Sequence, residues 1–178
     1  MRDVRNYAQY PAGILEAHEM HYRLRTTPAW QMTPTNEPLL TALYMALNEG
    51  LADLTDKRVQ LTQSADTADS DALRRWLLAP VPAAIQKIDS TIQVRAAGGP
   101  ATPLKLYRRL TNGTNGHLPG FFMAYTILQN GYLKPMLEHA DDPIAFVLLY
   151  QKAAKKDRQH LPKLAPTSVR YLRQLARK

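Results

Sequence analysis

The chain has 178 residues, 45% of them hydrophobic, enough for one substantial core but cramped for two domains. It contains no cysteine, which excludes disulfides, thiolate metal sites and a cysteine nucleophile together. The net charge of +8 is gathered at one end: residues 151–178 carry 9 Lys and Arg against a single acid, Asp157, whereas residues 1–150 carry 14 of each sign. A neutral helical body over 1–150 is expected, with a basic helical segment over 151–178 packed on the same domain. The start, "MRDVRNYAQYP", has no apolar h-region, and no run approaches the roughly 18 apolar residues of a membrane span. A soluble, cytoplasmic protein without membrane contact is expected.

In chain order, "EAHEMHYRLR" places His18 and His21 three apart on one helical face with Glu16 and Glu19 nearby. HExxH is not present and a third ligand is not evident, so these histidines are expected to face solvent and no metal site is assigned. "TNEPLLTALYMALNEGLADLTDKRVQL" has Thr35 and Asn36 as N-cap candidates and apolar residues at Leu39, Leu40, Leu43, Met45, Ala46, Leu47, Leu51 and Leu54, a helical period. "TQSADTADSD" is a polar connector, and "SDALRRWLLA" is a short helix stopped by Pro80. "VPAAIQKIDSTIQVRAAGG" is a helix ended by Gly98 and Gly99, and "ATPLKLYRRL" another short one. "DDPIAFVLLYQKAAKKDRQH" begins with Asp142 as N-cap and Pro143 at the first helical position. "APTSVRYLRQLARK" closes the chain as a basic helix. Strand signals are poor, because β-branched residues are scattered and no Asn-Gly turn separates two alternating runs. The fold class expected is all-α: an irregular single-domain bundle of about six to eight helices.

The stretch "NGTNGHLPGFFMAYTILQNG" lies between these helices. Asn and Gly tolerate left-handed dihedrals, Pro119 suits a first helical turn, and Gly131 after Asn130 suits a stop, so a turn into a buried helix is expected. Phe121, Phe122, Ile127 and Leu128 should lie in the core. No GxxxxGK[ST] phosphate loop is present. The layout nevertheless resembles the loop and helix of Fic-type adenylylating enzymes, whose motif runs HPFxxGNGR. Asn115 and Gly116 match its Asn and Gly, whereas Arg109 occupies the catalytic histidine position, Leu110 and Thr111 the Pro and Phe, and His117 the phosphate-gripping arginine. The resemblance implies a degenerate enzyme-like fold using the Asn115–Gly116 loop, inactive in that chemistry.

No catalytic residue is assigned. Asp141 and Asp142 are adjacent at a helix start and read as caps, and none of the four serines lies in GxSxG. The basic segment remains. Arg170, Arg173 and Arg177 recur at i, i+3 and i+7, opposite Val169, Leu172, Leu175 and Ala176. Lys152, Lys155, Lys156, Arg158 and Lys163 extend the patch, and Tyr171 offers a stacking surface for an unpaired base. The expected function is a non-enzymatic, cofactor-free helical module that binds nucleic acid, RNA or DNA, along its phosphate backbone. The alternatives are the enzyme-like fold above and a protein-interaction subunit with an acidic partner surface.

Overall fold

The computed structural model describes residues 37–63, 79, 81–103, 106, 116–157 and 161–177. Among them are six α-helices and no strand, arranged as a single helical domain. They are α1 (Glu37–Gln63), α2 (Val81–Ala96), α3 (His117–Gln129), α4 (Leu133–Glu138), α5 (Pro143–Lys156) and α6 (Pro166–Leu175). The all-α expectation holds, and five of these helices sit where their periodicity placed them. The six-residue α4, inserted between Gly131 and the Asp142 cap, was not anticipated. The expected elements at 16–25 and 70–79 (apart from residue 79), the connector before the latter and most of 101–110 lie outside the described residues.

Local chemistry explains the helix ends. Asp142 caps α5 as expected: its Oδ1 accepts the backbone N–H groups of Ile144 (2.8 Å) and Ala145 (2.9 Å), and Pro143 takes the first position, where no donor is needed. Gly98 and Gly131 end α2 and α3 at φ +78° and +81°, the left-handed region that glycine enters freely.

The core runs through all six helices, and α3 lies at its centre. Leu118 and Phe121 through Ala124 are buried on successive faces, as befits a helix covered on nearly every side. The long α1 contributes Leu39, Leu43, Leu47, Leu51 and Leu54, each at most 2% exposed. Ile85, Ile88 and Ile92 of α2 and Phe146, Val147 and Tyr150 of α5 complete the packing.

The connection from α5 to α6 is tied down by side chains rather than by apolar bulk. Gln151 brackets Leu164, with Oε1 accepting its N–H at 2.8 Å and Nε2 donating to its carbonyl at 3.3 Å. Asp89 on α2 accepts the Ala165 N–H at 3.0 Å and is itself steadied by Gln93 at 2.8 Å. The Tyr150 hydroxyl donates to the Pro162 carbonyl. Burial pushes that hydroxyl well above its ordinary value of 10.0, and the Asp157 carboxylate adds in the same direction. An unfolded tyrosine loses its proton near pH 10 while the buried one keeps it, so this contribution is whole below about pH 10 and fades as pH rises further. Tyr150→Phe is therefore expected to cost about 1 kcal/mol at pH 8 and less at pH 11, read from urea midpoints of the two proteins. An equal loss at both pH values would assign the cost to packing alone.

Candidate functional site at the crossing of α1 and α3

A glycine on each side of one crossing, Gly50 on α1 and Gly120 on α3, lets the two helices touch backbone to backbone. A Cβ built on Gly120 would lie 2.9 Å from the Gly50 nitrogen and closer still to the Ala46 carbonyl oxygen; one on Gly50 would strike the Gly120 carbonyl. Gly116, one turn before Gly120, is left-handed at φ +98° and sits with its Cβ position 2.9 Å from the Ala46 nitrogen. The expected left-handed turn before α3 is present at Gly116, where the backbone also comes close to α1. Asn115 lies outside the described residues.

The crossing carries His117, first residue of α3, onto the flank of α1. There Glu49 and Asp53, one helical turn apart, receive its ring from both sides: Nε2 is 3.1 Å from Glu49 Oε2 and Nδ1 is 3.0 Å from Asp53 Oδ2. Lys57, a further turn along α1, pairs with Asp53. Exposure grades across the group, with the His117 side chain 43% exposed, Glu49 25% and Asp53 10%. Asp53 is thus the buried anchor, satisfied by a cation and a ring nitrogen, while His117 and Glu49 open to solvent. Only a doubly protonated ring can donate to both carboxylates; a neutral ring donates to one. The arrangement can therefore hold or release a proton at either nitrogen, the property an acid–base centre requires.

The sequence reading missed this site. His117 read as part of a turn, and Glu49 and Asp53 were given no role, because the histidine and Asp53 are 64 residues apart. A usable signal was present in "NEGLADLTDK": Asp53 falls between Leu51 and Leu54 on the buried stripe, where an acid needs a partner.

All three residues lie inside a span, residues 4–159, that matches a family whose members are proposed to be zinc dependent peptidases, DUF5700. The chain belongs to DUF5700. No curated protein and no solved structure matches the sequence. Membership in DUF5700 overturns the expected function, a non-enzymatic nucleic-acid-binding module, since the match spans most of the chain and its description is enzymatic. The error has a physical origin: a charged segment reports what a surface attracts, not what a fold does. The adenylylating-enzyme likeness gives way on the same ground, and Gly116, which carried part of that likeness, packs closely against Ala46 of α1.

The basic residues of this DUF5700 chain divide into two groups. Lys155, Lys163, Arg170, Arg173 and Arg177 line one groove of about 600 Å³ between α5 and α6. Lys152 and Lys156 stand over the Tyr132 ring instead, at 4.8 and 5.4 Å from its centroid, and Lys156 donates to the Asn130 carbonyl at the end of α3. Tyr171 is half-buried and packed against the core. Arg158 lies outside the described residues. No described helix is long and apolar enough to cross a membrane.

Proposed function

We propose that this DUF5700 chain has a peptidase-like function and that Glu49, Asp53 and His117 form its reacting centre. One observation carries the reading: a half-exposed imidazole paired with two carboxylates, inside the span that matches a family of proposed peptidases. Peptide hydrolysis needs a base that takes a proton from the attacking water and an acid that returns one to the leaving amine. Glu49 and the His117 ring lie within hydrogen-bond reach of each other and of solvent. Asp53 holds the opposite nitrogen and thereby orients the ring, as a buried carboxylate does in other hydrolytic sites.

The zinc in the family's description requires three protein ligands on one ion, with the fourth position left to water. Among the described residues no three His, Asp or Glu side chains converge in that way. The reason lies in His117, whose two nitrogens face different carboxylates, so that an ion at either nitrogen would meet only one of them. The described residues therefore do not fit zinc unaided. Outside them, "AHEMHYR" supplies His18, Glu19 and His21 but has Tyr22 where HExxH carries its second histidine.

Cleavage of a mixed library of quenched fluorescent peptides by the full chain, with zinc added or chelated, tests the reading. Expected is cleavage that Glu49→Gln lowers by about a hundredfold, the scale of a lost acid–base group, with the thermal midpoint unchanged. Cleavage lost on chelation would show that the reaction needs a metal which the described residues do not hold by themselves. A library left intact under both conditions would sink the peptidase reading.

A further inference from the structure

The groove between α5 and α6 shares no residue with the Glu49–His117 site, and its charge is unbalanced. Lys155, Lys163, Arg170, Arg173 and Arg177 are exposed, no acid is among its lining residues, and none of the five has an ion-pair partner among the described residues. Five like charges held around one concavity repel one another, and an anionic occupant relieves that repulsion. The floor is not charged: Leu164 is buried, and Val169 and Pro166 present apolar surface beside it. The walls are fixed, because Leu164 is bracketed by Gln151 and Ala165 is bonded to Asp89.

We infer that this groove is a docking site for an acidic peptide segment with interspersed apolar residues, supplied by a partner protein. Length excludes a single small anion as the full occupant. From Arg170 to Arg177 the chain advances about 10 Å at about 1.5 Å per residue, farther than one carboxylate or phosphate reaches. An extended peptide places side chains of one face about 7 Å apart, so acids on alternate residues meet successive arginines while the residues between them face Leu164 and Val169. The apolar floor of Leu164 and Val169 suits the side chains of a peptide better than the phosphates of a nucleic-acid strand, and Tyr171, the aromatic residue of α6, is packed against the core. Arginine forks suit carboxylates, since each donates two parallel hydrogen bonds.

Fluorescence anisotropy on the full chain tests the assignment with three labelled probes: a peptide of alternating Glu and Leu, its counterpart with Gln for every Glu, and an oligothymidylate of matching length. The Glu–Leu peptide is expected to bind, with affinity that falls as salt rises, and the Gln counterpart to bind about tenfold more weakly or worse. The triple variant Arg170→Gln, Arg173→Gln, Arg177→Gln is expected to lose about tenfold in affinity at unchanged helical content, because Gln is a comparable helix former. Lys163→Gln, on the segment between helices, provides a second variant that leaves α6 intact and should weaken binding in the same direction. Equal binding of the two peptides, tighter binding of the oligothymidylate, or wild-type affinity in the triple variant overturns the proposal. Peptide cleavage is read in a separate assay on other residues, so either result can fail alone.

Discussion

Gly120→Leu is expected to destabilise the protein by about 3 kcal/mol or more, the upper end of overpacking costs. Those costs are usually limited because a neighbouring side chain turns aside. Here the obstacles are the Ala46 carbonyl and the Gly50 nitrogen, backbone atoms in the middle of a 27-residue helix with no rotamer to change. α1 and α3 must separate, and separation exposes Leu47, Leu51, Phe121 and Met123, none of which shows any surface now. For a protein of this size the loss corresponds to a fall in thermal midpoint of roughly 6 to 12 °C. Gly120→Ala should give a smaller change of the same sign. A midpoint within a degree of wild type would mean that the helices cross more loosely than the geometry states.

Phe121→Ala is expected to cost about 3 to 5 kcal/mol. The ring is fully buried, stacks on Tyr125 with centroids 5.6 Å apart, and has the Lys57 ammonium 6.0 Å from its centroid. Its removal leaves a void that rigid helices on either side cannot close. The midpoint of urea unfolding should fall at unchanged slope, whereas a changed slope would show that the native or the denatured state had altered as well. Leu128, expected from the sequence to be an equal part of this core, is only half-buried, and its replacement by Ala should cost less.

The fold was legible because each helix announces itself locally. Asp142 and Pro143 mark the start of α5 within two residues, Gly131 stops α3, and the leucines of α1 from Leu39 to Leu54 recur at helical spacing over about four turns. α4 escaped because six residues are too few to show a period. The candidate site was illegible for a different reason. Its chemistry arises when Gly50 and Gly120 permit two backbones to touch, and nothing within a window of one helix says that Glu49 will face His117. The basic segment misled because charge is conspicuous in sequence while its arrangement is not. Only the structure separates the arginines around the groove from Lys152 and Lys156, which hold Tyr132 and the end of α3.

The bond from Asp89 to Ala165 joins residues 76 apart, and the ten-residue α6 that follows has no side-chain cap of its own. A helix so short is marginal in isolation, so its order is borrowed from α2 and α5. Closing so long a loop is entropically expensive and comes after the more local helix pairs have formed. The C-terminal helix is thus expected to open as a cooperative unit with a free energy below that of the whole, which amide hydrogen exchange would read. Whatever seats itself against α6 therefore acts on the folding equilibrium of that unit, drawing it closed in proportion to its occupancy.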